Sequence, residues 1–66
     1  MKADYDSEAN ALSIDLIQVE HWDDGDNVDQ DEQCNVAFSK GRVVNVELLH
    51  PSKNLDLLNA AAEKFD

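Results

Sequence analysis

Three stretches of this chain alternate apolar and polar residues with a period of two, and the pattern ends at its only proline, Pro51. Leu12, Ile14 and Leu16 fall on one side of the first stretch, with Ser13 and Asp15 on the other. Cys34, Val36 and Phe38 alternate with Asn35 and Ala37 in the second, and Val44, Val46 and Leu48 with Asn45 and Glu47 in the third. A period of two puts alternate side chains on opposite faces of a strand, so each stretch reads as a strand with one buried face. The expected strands are Ala11 to Ile17, Gln33 to Phe38 and Arg42 to Leu49, with a further short one from Lys2 to Tyr5. Between the first two of the four in chain order lies Asp6-Ser7-Glu8-Ala9-Asn10, whose small and Asx side chains favour a turn.

The last two strands face each other across Ser39-Lys40-Gly41. A two-residue loop, Lys40-Gly41, would set Val36 opposite Asn45, mixing apolar with polar. A three-residue loop sets Val36 opposite Val44 and Cys34 opposite Val46. It also puts Gly41 third, where a left-handed residue is needed, so the three-residue loop is expected, with positive φ at Gly41. Beyond Pro51 the period changes. Ser52 or Asn54 can cap a helix and Asp56 suits its first turn. Leu55, Leu58, Ala62 and Phe65 recur on one helical face, flanked by Leu57 and Ala61. The pattern predicts an α+β fold: a small antiparallel sheet of three to four strands with one C-terminal helix packed on one face. One domain is expected to span residues 1–66.

A chain of 66 residues buries about 60% of the surface its unfolded form exposes, so its core is small and a homodimer would add burial. The net charge of −10 disfavours nucleic acid and anionic membrane, because both carry the same sign. No apolar run is long enough for a signal peptide or a membrane span. The single cysteine, Cys34, excludes an intramolecular disulfide, which small secreted domains usually need. A cytoplasmic location is expected.

The charge is concentrated. Seven of the fifteen acidic residues lie between Glu20 and Glu32, and no Lys or Arg interrupts Ala3 to Ser39. This acidic segment reads as a long solvated loop between the strands on either side of it. Asp24, Asp26, Asp29 and Asp31 are its candidate ligands for a divalent cation. The calcium-loop template fails in both registers: from Asp24 its sixth position is Asp29 and its twelfth Asn35, and from Asp29 these are Cys34 and Lys40. His21 and His50 lack the close ligand pair of a zinc finger and read as surface residues. Cys34 points inward with Val36 in acidic surroundings, which fits a structural thiol better than a nucleophile. No Gly-x-Ser-x-Gly elbow or phosphate-binding glycine loop is present; the two glycines are Gly25 and Gly41. No catalytic residue and no cofactor is expected, and an enzyme is the poorer reading. Trp22, at the head of the acidic segment, has two readings: a cap on the edge of the core, or an anchor for a partner.

Two segments carry a resemblance. Tyr5-Asp6-Ser7-Glu8-Ala9-Asn10-Ala11-Leu12-Ser13-Ile14-Asp15-Leu16 resembles the opening of a small prokaryotic family, domain of unknown function 2283. Gly41-Arg42-Val43-Val44-Asn45-Val46-Glu47-Leu48-Leu49, followed by Pro51-Ser52-Lys53, resembles its Gly-Arg-Val-Val strand and Ser-Lys exit. The middle departs, with Ser39-Lys40 where the family has an Asp-rich turn before Gly-Arg. The resemblance implies a small α+β or mostly β domain and brings no activity, cofactor or catalytic residue.

The functional expectation is an interaction module for a basic protein, for instance the neutralising half of a two-gene bacterial pair. Its partner-binding residues would be Trp22, Asp23, Asp24, Asp26, Asp29, Asp31 and Glu32. The alternative is a divalent-ion or small-ligand domain using the same carboxylates.

Overall fold

A computed structural model describes residues 1–65; the side chains of Lys64 and Phe65, and all of Asp66, lie outside the described residues. The chain runs β1 (Lys2–Asp6), β2 (Ala11–Asp15), β3 (Asp24–Asn27), β4 (Cys34–Ser39), β5 (Arg42–Leu49) and α1 (Leu55–Phe65). The α+β class and the antiparallel sheet with a C-terminal helix are as expected. The strand count is not: the sheet has five strands in the order β1-β2-β5-β4-β3. The extra strand, β3, lies inside the acidic segment expected to be a loop. β3, β4 and β5 form a meander, and β5 returns to lie beside β2, which is Greek-key connectivity read from the C-terminal side.

β3 has the sequence Asp-Gly-Asp-Asn, with residues depleted in strands and no apolar alternation. It forms because β4 offers a partner and because its own carboxylates complete its hydrogen bonding. Asp24 pairs with Phe38 and Asp26 with Val36, and the ladder continues where the Val28 N–H donates to the Cys34 carbonyl at 2.8 Å. The N–H groups of Gly25 and Asn27 therefore point away from β4. Each donates to the carboxylate of the preceding residue, Asp24 or Asp26, at 2.8 Å.

The β4–β5 turn corrects the expected register. Ser39 faces Arg42, so the loop is the two residues Lys40 and Gly41, at φ 54° and 77°. Positive φ at both central residues is the hairpin turn whose twist matches the strands. Gly41 has the expected positive φ, but in a shorter loop. A bulge restores the parity that a tight turn would break. Phe38 faces Val43 and Ala37 faces Asn45, leaving Val44 as the extra residue on β5. Val36 then faces Val46 and Cys34 faces Leu48, not Val44 and Val46 as expected. Val43, expected on the polar face, packs instead with Phe38 against the core. Val44 is buried where the β2–β3 crossover passes the hairpin; its carbonyl accepts the Leu16 N–H at 2.8 Å.

The core is Cys34, Val36, Val46, Leu48 and Ala61, joined by Leu12, Val28, Phe38, Leu57 and Leu58. α1 lies on β4 and β5, and its buried face is Leu57, Leu58 and Ala61. This face is turned from the expected one, since Leu55 and Ala62 are exposed. The expected place of Phe65 lies outside the described residues. The turn comes from Asn54, just before the helix, whose Nδ2 donates to Gln33 Oε1 at 2.6 Å and to the Leu49 carbonyl at 2.9 Å. With Asn54 tied to the sheet, residues three, four and seven positions on face the sheet. Among the described residues, no helix is long and apolar enough to cross a membrane.

Candidate functional site

The sheet face opposite α1 is open, and its pairings align polar residues in rows. One row runs Gly25, Ala37, Asn45, Asp15, Lys2 and the next Asn27, Asn35, Glu47, Ser13, Asp4. Gly25 and Ala37 have little or no side chain, so the β3–β4 end of this face is low. It forms a trough of about 570 Å³ lined by Trp22, Asp23 to Asn27, Asn35, Ala37, Asn45 and Glu47.

Trp22 stands at the rim, directly before β3, and is 53% exposed. It is not part of the core cluster, so the reading of Trp22 as a core cap is set aside. The Asp23 N–H donates to the Phe38 carbonyl at 2.8 Å, and Asp23 Oδ2 accepts the Lys40 N–H at 2.7 Å. These bonds fix the strand entry beside the β4–β5 turn and so fix the base of the tryptophan. Asn45 sits on the trough's far side, 2% exposed, and its Nδ2 donates to Ser13 Oγ at 3.0 Å and Asp15 Oδ1 at 2.7 Å. A buried amide held by two acceptors is a rigid wall, since breaking either bond leaves a polar group unsatisfied.

The structure divides the seven residues expected to meet a partner. Trp22, Asp23, Asp24 and Asp26 line the trough. Asp29 is half-buried and structural: its Oδ1 accepts the N–H groups of Gln33 at 2.9 Å and Cys34 at 3.0 Å. Asp31 and Glu32 lie exposed in that same turn, where Glu32 has φ 58°, and do not line the trough. Asn35, Asn45 and Glu47 were legible only as the polar side of their strands. Nothing in the sequence joined them to Trp22, because the pairing of β3 with β4 was not visible there.

The four aspartates offered as cation ligands do not converge. Asp24, Asp26 and Asp29 each turn an oxygen onto backbone N–H groups. Among the described residues, no group of three or more His, Cys, Asp and Glu side chains is arranged to hold a metal ion. His21 is exposed on the segment between β2 and β3. His50 is exposed at the exit of β5, where Asn10 Nδ2 meets its Nδ1 at 3.0 Å. Cys34 is fully buried, as expected of a structural thiol. Burial pushes its pKa up, and the Asp29 carboxylate adds to the shift.

Comparison of the chain with protein-family models, with curated proteins and with solved structures gives no match.

Proposed function

We propose that this chain is an interaction module that takes a basic protein segment into the trough on its open sheet face, with Trp22 as the anchor. The observation that carries this reading is Trp22 itself: an indole 53% exposed, held at the rim of a trough edged by Asp23, Asp24, Asp26 and Glu47. An exposed indole beside carboxylates suits a guanidinium or ammonium group, which gains from the ring face and the negative field together. The net charge of −10 would steer such a partner from a distance. We also propose kinship with family 2283. Its support is that the two resembling segments open on the β1–β2 and β4–β5 turns, where Asp6 and Gly41 serve the turn geometry.

An arginine-rich peptide titrated into the protein tests the binding proposal, with Trp22 fluorescence as the readout. Binding should shift the emission, weaken between about 0.05 M and about 0.3 M salt, and ignore a chelator. Trp22→Ala, followed by calorimetry, should lose most of the affinity. Binding unaffected by Trp22→Ala would overturn the proposal. A melting temperature raised by Ca²⁺ at constant ionic strength would favour the divalent-ion alternative.

A further inference from the structure

The two edges of the sheet differ. On β3, the outward N–H groups of Gly25 and Asn27 are occupied by Asp24 and Asp26, and two carboxylates guard the edge. An incoming strand would have to displace both, which is how natural sheets block edge pairing. On β1 the outward groups can be identified from the ladder. The Asn10 carbonyl accepts the His50 N–H, and the Leu16 N–H reaches the Val44 carbonyl, both at 2.8 Å. Even-numbered residues of β2 therefore face β5, and its odd-numbered residues face β1. Ser13 pairs with Asp4 and Asp15 with Lys2, so Ala3 and Tyr5 turn their N–H and C=O groups outward. Among the described residues, no carboxylate accepts either N–H.

We propose that β1 is a self-pairing edge: two copies of the chain join antiparallel through residues 1–5, related by a two-fold axis at Ala3. In this register Ala3 meets Ala3 of the second copy and Tyr5 meets Met1. Both are hydrogen-bonded positions, so the outward groups of Ala3 and Tyr5 are satisfied together. Lys2 then lies opposite Asp4 of the second copy, twice, at the close non-hydrogen-bonded positions where opposite charges attract most. Both side chains are free to do this: within one copy they meet only at 3.9 Å and are 74% and 68% exposed.

The apolar side agrees. Met1 is 93% exposed and Tyr5 56%. Tyr5 is fixed in place by its hydroxyl, which donates to Asn10 Oδ1 at 2.7 Å. Tyr5 pairs with Leu12 and Ala3 with Ile14, on the face that carries the core. Joining two edges would bring Tyr5 and Met1 of opposite copies together and make one apolar strip continuous with both cores. Thioether and aromatic ring are favourable partners. The trough lies toward β3, at the other side of the sheet, and stays open.

Sedimentation equilibrium at about 0.15 M salt tests this across a range of protein concentrations. The wild-type chain should show a monomer–dimer equilibrium. Lys2→Asp and Asp4→Lys should each weaken it about tenfold or more, because each places like charges opposite twice. An equimolar mixture of the two variants should restore it as a heterodimer. Ala3→Pro removes an outward N–H without touching the β2 ladder and should give monomer with unchanged circular dichroism. If Ala3→Pro fails to fold, the charge-swapped mixture decides. A wild-type chain that stays monomeric, a dimer that tolerates Ala3→Pro while folded, or variants that do not rescue each other would overturn the proposal. None of these outcomes bears on peptide binding at Trp22, so the two proposals fail separately.

Discussion

Cys34 and Asn45 show how two buried side chains take opposite roles in one sheet. Asn45 satisfies its amide nitrogen through Ser13 and Asp15 on the trough side. Cys34 belongs to the core, where its Sγ makes a long contact, 3.9 Å, to the Leu57 carbonyl. A thiol tolerates this because it behaves as a small apolar group, but a thiolate does not. Burial, with the Asp29 carboxylate assisting, raises the pKa in the fold from its ordinary value of 9.0. The unfolded chain ionises first as pH rises, so between the two pKa values it holds fewer protons than the native chain. The slope of stability with pH is then negative. Cys34 therefore contributes fully below pH 9.0, and its contribution is lost above that value. Urea titrations of the wild type and Cys34→Ala at rising pH should show the wild type losing stability faster above pH 9.0. A thiol reagent at neutral pH should react only as fast as the chain opens. Parallel pH profiles, or immediate reaction in the native state, would contradict the buried placement.

Among the elements, the β4–β5 hairpin has the most direct test. Its two loop residues both take positive φ, yet the first is a lysine, Lys40 at 54°. A left-handed conformation costs an L-residue about 1–2 kcal/mol, less for Asn, whose short side chain tolerates it. Lys40→Asn should raise stability by about 0.5–1 kcal/mol, read from the urea midpoint. Gly41→Ala should lower it by about 1–2 kcal/mol; nothing lies within 4 Å of an added Cβ, so the cost is conformational alone. Stability unchanged in both would argue against this turn. The hairpin also marks where the sequence was legible and where it stopped. Alternation located β2, β4 and β5 because their apolar residues recur at every second position, and Pro51 with Asp56 located α1. The parity of Val36 and Asn45 ruled out a straight two-residue hairpin, but a bulge at Val44 meets the same parity, and alternation cannot tell a bulge from a longer loop. β3 was illegible because its cause is not local: Asp24 and Asp26 act as strand residues only once β4 lies beside them. The trough was illegible for the same reason, since Trp22 comes to line one hollow with Asn35 and Asn45 only through that pairing.

At the scale of the whole molecule, the charge sets a prediction that the individual contacts do not. Fifteen carboxylates face five basic side chains, for a net −10. Among the described residues one ion pair occurs, Lys2 with Asp4, exposed and at 3.9 Å, of the kind that contributes about 0–1 kcal/mol. The carboxylates with structural roles are bonded to neutral groups instead: Asp6, Asp23, Asp24, Asp26 and Asp29 each accept backbone N–H groups. Such bonds satisfy the backbone but leave the negative charge uncompensated, so folding gathers like charge and self-repulsion opposes the compact state. Salt relieves this by shortening the reach of each charge, from about 30 Å at 0.01 M to about 10 Å at 0.1 M. The melting temperature should therefore rise with NaCl. A relief of about 1 kcal/mol corresponds to about 4–8 °C in a domain of this size. Melts followed by circular dichroism at low protein concentration isolate the effect from association between copies. Melts in MgCl₂ and CaCl₂ at matched ionic strength should fall on the NaCl curve, since the aspartates of β3 are turned onto their own backbone. A calcium curve well above the sodium one would mean that the carboxylates can reorganise around a cation. A flat response would mean that repulsion among these carboxylates does not weigh on the folded state.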